Sequence, residues 1–408
     1  MICDLRFAIE RPRRRRPCGC PKTNPGADDR IIENQKSKIK NLYDVVVRGE
    51  TVAGVAVAIQ LARQGRRVAV VAADCPQVEC PLAEWAPADL FDLEPLTGVV
   101  KASGPKAFSN VIYHSADGER SAEYAARKVL GYFFGADRLL KALTAAGRRA
   151  GVKFIAKGAG TVKLAEHDVT VAGARRVTGR ILLAACDAPT GAIGMLRLPV
   201  RRVSPGRLEA VGLDVTWTAA GLKKHFGEAM HVVHLGRGDE IALYFAVGST
   251  GHLRLVRPRG IASKPAESLS KLVKTLKAGG LWPDSLPLDR MNAAVWNPPA
   301  GAALELDGHV AKRTLLVGTA GGFADLMTAQ TIAPSIRSAL LAGEVAAEAL
   351  DSDEPQDALN GFSTRWREAL VDSLRPPHTS VGMLLGLGFV NKQMVRRFTR
   401  AMLYGESL

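Results

Sequence analysis

Six cysteines are few for 408 residues, and no two of them form a C-x-x-C pair. That excludes a disulfide-stapled scaffold and a zinc ribbon, and it predicts reduced thiols. No stretch approaches the roughly 18 consecutive apolar residues that span a bilayer. The chain opens on arginines rather than on a short apolar secretion signal, so the expected location is the cytoplasm. No repeat of solenoid length is evident.

What is present is an ordinary globular balance, with 47% hydrophobic and 23% charged residues, which excludes wholesale disorder and a collagen-like chain. The length predicts two to three domains, or one large domain with an insertion. The formal charge of +15 is uneven. Residues 1–41 carry eleven Lys/Arg against five Asp/Glu, include the run Arg13 to Arg16, and show no sustained period. Residues 1–42 therefore read as a basic, disordered tail. A solvated tail, or a stretch translated from an early start codon, is preferred to nucleic-acid binding through the arginines. Near the other end, Lys392, Arg396, Arg397 and Arg400 oppose only Glu406.

A regular pattern begins at Tyr43. Tyr43 to Arg48 reads as a buried strand, Ala53 to Gln64 as a helix and Arg67 to Ala72 as a second buried strand. The runs Val45-Val46-Val47 and Val68-Ala69-Val70-Val71 suit a parallel sheet covered on both faces. A helix over 136–150, short strands to 171 and an apolar strand at 180–185 follow. Between about 206 and 260 alternating stretches predict antiparallel strands, then a helix over 265–277 and a Pro/Gly-rich connection. A buried strand at 313–317 returns and leads into a glycine-rich turn and a helix over 332–350. The expected class is α/β: a doubly wound domain in two parts, 43–200 and 300–350, interrupted by a β-rich domain at 201–299 and followed by a helical region at 351–408.

The first strand–turn–helix carries Gly49-Glu50-Thr51-Val52-Ala53-Gly54, a dinucleotide-binding turn of the form G-x-G-x-x-G with Thr51 at the middle glycine. On these residues Tyr43 to Val71 resembles the FAD-binding unit of the flavoprotein group that holds geranylgeranyl reductases, p-hydroxybenzoate-hydroxylase-like monooxygenases and flavin-dependent halogenases. Ala185-Cys186-Asp187-Ala188 resembles that group's internal Asp-Gly motif, and Leu315 to Phe323 its late Gly-Asp motif. The resemblance implies a Rossmann-type FAD/NAD(P)-binding fold. It also implies FAD held by Gly49, Thr51, Gly54, Asp74, Arg138, Asp187, Gly318, Thr319, Gly321 and Gly322, with NAD(P)H or a reductase as electron donor. The substrate pocket would lie against the inserted domain and take a small hydrophobic molecule, isoprenoid-like or aromatic. Catalysis in the group is chiefly the flavin's own, so no catalytic side chain is assigned.

Departures cluster where ligand would be. Thr51 replaces the close-approach glycine, Ala72 the ribose acid with Asp74 two residues on, Ala188 the glycine of the internal motif and Thr319 the late aspartate. Residues 327 to 331 hold no glycine. Glu50 adds an anion where a phosphate would lie, and two unit charges about 4 Å apart repel by roughly 4 kcal/mol at an effective dielectric of 20. The alternative is therefore a non-catalytic relative, with FAD binding weakened or lost, that binds a lipid or a protein.

Three further features carry weaker signals. Cys75 and Cys80, near the expected adenosine, read as small buried hydrophobes rather than redox groups. His231 and His234 point to opposite faces of a strand, and no metal site is expected. Val381 to Val390 is an apolar run followed by basic residues through Arg400. It reads either as a hairpin packed on the main domain or as a peripheral membrane contact over 381–400.

Overall fold

The computed structural model describes residues 42–406 except 74–79, 136, 157–159, 174, 199–202, 236–239, 262, 287–290 and 376–379, and omits the side chains of 291 and 292. The expected basic tail, Asp74 and Cys75 lie outside the described residues.

The first strand, Leu42–Arg48, sits centrally in an eight-stranded sheet. It pairs in parallel with Arg176–Ala184 on one side and Val68–Val71 on the other. Lys153–Ile155 and Thr314–Leu316 extend the parallel run outward. Successive side chains of a strand point to opposite faces, and both faces here are buried, which is why the valines run without interruption. Val45 and Val47 pack with the helices Val52–Arg63, Ile332–Asp351 and Phe362–Leu374; Val46 packs with Leu182, Leu316 and the helix Pro189–Leu196.

A second sheet has seven strands in the order Met291–Trp296, Leu208–Thr216, Thr250–Pro258, Ile241–Val247, Ala229–His234, Asn110–Ser115 and Ser121–Ala125. Alternation divides it cleanly. Ile241, Leu243 and Phe245 face the C-terminal helices Val381–Gly388 and Lys392–Tyr404, whereas Ala242, Tyr244 and Ala246 face Ala219–Phe226 and Pro265–Ala278. Two of its strands come from residues 110–125, and Asn110–Ser115 runs parallel to Ala229–His234. A three-stranded sheet of Glu84–Pro87, Gly131–Phe134 and Lys106–Phe108 completes the strands.

The elements expected after Tyr43 are found within a few residues of their expected bounds. The strands between 84 and 134, and Met291–Trp296 within the expected Pro/Gly connection, had not been anticipated. Ser121–Ala125 shows the reason: it exposes Ser121, Glu123 and Ala125, and is held by pairing to Asn110–Ser115 and by the helix Lys392–Tyr404, neither of which leaves a local signal. Among the described residues, no helix is long and apolar enough to cross a membrane.

Candidate functional site

In an open parallel sheet the binding crevice lies beyond the carboxyl ends of the strands, here beyond Arg48, Val71, Ala184 and Leu316. Gly49 turns the chain with φ +118, and a Cβ there would stand 2.5 Å from the Cβ of Cys186. A Cβ on Gly54 would stand 2.4 Å from the carbonyl oxygen of Gly49. Both glycines are thus required by the chain's own close packing, whatever else the turn does.

Thr51 caps the helix Val52–Arg63. Its hydroxyl accepts from the Gly54 N–H at 3.0 Å and donates to the Ala185 carbonyl at 3.0 Å. The side chain is buried, so one helix-terminal donor that a phosphate could have taken is satisfied from within. Glu50 accepts from the Thr144 hydroxyl at 3.2 Å and adds negative charge beside the same helix terminus.

Asp187, with φ +79, is ion-paired to Arg48 at 2.8 Å. Arg48 was missed from sequence, although a charge closing an all-valine strand must find a partner when buried. Cys186 is disulfide-bonded, correcting the expectation of reduced thiols, and Cys80 is free.

The late turn supplies Gly318, with φ +57, whose N–H donates to the Ser338 hydroxyl at 3.1 Å. Thr319 is buried and faces the crevice, and its hydroxyl has no partner among the described residues. Gly321 and Gly322 lie behind it. A Cβ on Gly321 would meet the Phe323 ring at 2.5 Å, and one on Gly322 the Ala303 nitrogen at 2.5 Å. Of the expected cofactor residues, Thr51 and Thr319 line the crevice; Arg138 is exposed at the start of Arg138–Arg149, its side chain lying along Gly135.

Residues 327–331, the stretch without glycine, are all buried. Asp325 accepts from the backbone N–H groups of Met327 and Thr328 at 2.9 and 2.7 Å and from the Thr328 hydroxyl. Burial raises its carboxyl against the lowering effect of those donors. Gln330 donates to the Trp85 carbonyl at 3.0 Å, and Thr331 to the Glu84 carboxylate at 3.3 Å. Cys80 lines the crevice, as do Ile332 and Ser335 of the helix Ile332–Asp351; Glu84 and Phe134 line it too and were missed, because the chain from 84 to 134 carries no motif. Burial, followed by the Glu84 charge, pushes the Cys80 thiol up to about 12.

So lined, the crevice encloses about 70 Å³. Pockets for drug-sized ligands run to about 300–1,000 Å³. As the described side chains stand, that space takes a few water molecules. His231 is buried elsewhere, in the second sheet, where its Nδ1 meets His114 Nε2 at 3.0 Å and its Nε2 meets the Phe226 carbonyl at 2.9 Å. Among the described residues no cluster could hold a metal ion.

No family profile and no curated protein matches the chain. Solved structures do. A geranylgeranyl bacteriochlorophyll reductase-like protein from Thermoplasma acidophilum aligns with a TM-score of 0.68 at 15% identity, covering 90% of this chain and 97% of that one. The flavin-dependent brominase Bmp2, as a triple mutant, aligns at 0.65 and 10% identity over 89% and 96%. The halogenase PltM, in complex with phloroglucinol and FAD, aligns at 0.60 and 15% identity over 81% and 73%. The chain has the α/β, Rossmann-type fold of flavin-dependent reductases and halogenases. At these identities the likeness is one of fold.

Proposed function

We propose that this chain keeps a flavoenzyme scaffold as a non-catalytic binding protein, its dinucleotide crevice closed by its own side chains. The observation that carries the reading is the crevice volume of about 70 Å³. Three contacts support it: the Thr51 hydroxyl caps its own helix, Asp187 is taken by Arg48, and Gln330 is tied to Trp85. The glycines that survive are each accounted for by protein atoms within van der Waals distance.

A second reading, an FAD-dependent reductase or monooxygenase acting on a hydrophobic, isoprenoid-like or aromatic substrate, is favoured by one observation. The Thr319 hydroxyl is buried, unpartnered and turned to the crevice, as a group awaiting a ligand would be. Purification with FAD added separates the two. The expected outcome is colourless protein with no flavin absorbance and no rise in Tm. Yellow protein with one FAD per chain and a raised Tm replaces the first reading with the second.

A further inference from the structure

The helix Val381–Gly388 is apolar on both sides. Val381, Leu384 and Leu385 are buried against the second sheet together with Val395, Phe398 and Met402 of the last helix. Its outer side still exposes Met383 at 61% and Leu387 at 42%, and Val390 just beyond is exposed at 83%. The turn continues past the helix end, since the Val390 and Asn391 N–H groups both donate to the Leu387 carbonyl. Positions 383, 387 and 390 therefore keep the i, i+4, i+7 spacing that places side chains on one face.

Cations follow this stripe in the chain. Arg120 lies over the Phe389 ring at 5.2 Å. Lys392, Arg396 and Arg397 follow within two turns, are exposed, and make no salt bridge among the described residues. Arg396 also lines a groove of about 870 Å³ with Arg127, Lys128 and Arg400 and the acids Asp89, Asp92 and Glu406. Of the neighbouring acids, Glu406 is held by Arg400, Asp89 by Arg337 and Asp117 by Ser115, Glu123 accepts from Asn110 at 3.0 Å, and Asp92 and Glu119 are exposed. The apolar stripe is small, roughly 300 Å², against about 800 Å² per partner in a stable protein complex. Shallow apolar side chains followed by cations that make no salt bridge among the described residues match the boundary between acyl chains and anionic headgroups.

We infer that this surface docks on an anionic lipid bilayer, with Met383, Leu387 and Val390 entering the headgroup–acyl boundary and Lys392, Arg396 and Arg397 meeting lipid phosphates. The inference deepens the proposed function by naming its partner, but uses none of the crevice residues. FAD binding and vesicle binding are therefore separate measurements, and either can fail alone.

The test is co-sedimentation of the full chain with phosphatidylcholine vesicles, with and without phosphatidylglycerol. Pelleting is expected with the anionic vesicles, at least tenfold weaker with phosphatidylcholine alone, and reversed by salt. The triple variant Lys392→Gln, Arg396→Gln, Arg397→Gln is expected to lose roughly a hundredfold in affinity, about fivefold per cation. Leu387→Glu with Val390→Glu should lose at least tenfold while keeping the circular-dichroism melt of the parent. The arginine-rich amino terminus is common to every variant, so these differences read the 381–397 surface alone. Unchanged pelleting in both variants overturns the inference. So does light scattering that shows a lipid-free dimer dissolved by Val390→Glu, which would assign the stripe to a second copy of the chain.

Discussion

Arg48 reaches Asp187 at 2.8 Å across the carboxyl edge of the parallel sheet, tying the end of the first strand to the turn after Arg176–Ala184. The guanidinium is nearly buried, at 8%, and Asp187 is 22% exposed. Arg48→Ala leaves a half-buried carboxylate without its cation. We expect a loss of about 2 kcal/mol in guanidinium unfolding, less than the roughly 3–5 kcal/mol for a fully buried pair. Arg48→Ala with Asp187→Ala should lose less than the two single variants summed, and strict additivity would mean that the pair contributes nothing.

Gly54 tests whether the motif glycines serve the fold. An added Cβ meets backbone, the Gly49 carbonyl oxygen, at 2.4 Å, and backbone cannot move aside as a flexible side chain can. Gly54→Ala is expected to destabilise by about 2–3 kcal/mol in chemical denaturation. The deficit should be the same with and without FAD. A deficit that appears only with FAD present would tie this glycine to the cofactor instead.

Acid should loosen the protein through its buried histidines. Burial lowers His231 and His309 to about 4, and burial followed by the His231 charge lowers His114 to about 4. His252 is also lowered by burial, which the Asp214 carboxylate opposes. At His231, His309 and His114 the unfolded chain takes up a proton near pH 6.5 and the folded chain only near pH 4, so their contribution is full above about 6.5 and falls as pH drops through that window. Each such histidine gives a slope of about 1.4 kcal/mol per pH unit. Urea unfolding at several pH values should show the fall, and His231→Phe should flatten it. Stability that stays level from pH 7 to 4.5 would contradict the buried, neutral state of these rings.

Cys80 should be a poor nucleophile. With its thiol pushed up to about 12, the thiolate fraction near neutral pH is several decades below that of an ordinary cysteine. Iodoacetamide labelling followed by mass spectrometry is expected to modify Cys80 at least about 100-fold more slowly in native protein than in urea. Comparable rates in the two conditions would show that the crevice opens to solvent.

Much of the fold was legible because its signals are local. The valine runs, the Gly49–Gly54 turn and the glycine-rich stretch after Leu316 each announce an element, and all three reappear close to their expected positions. The strands from 84 to 134 were not legible, since Asn110–Ser115 finds its partner in Ala229–His234, more than a hundred residues away. The same limit governed the site. Thr51 and Thr319 could be named from their motifs, whereas Glu84 and Phe134 enter the crevice from segments with no motif at all.

The order of residues was by itself enough to specify the doubly wound scaffold, because apolar period and turn chemistry act over a few neighbouring positions. Whether the crevice at its edge stays open depends on side chains far apart in the chain: Arg48 on Asp187, Thr51 on Ala185, Gln330 on Trp85. Only the folded chain brings these groups within hydrogen-bond reach, and volume is a property of that packing rather than of any motif.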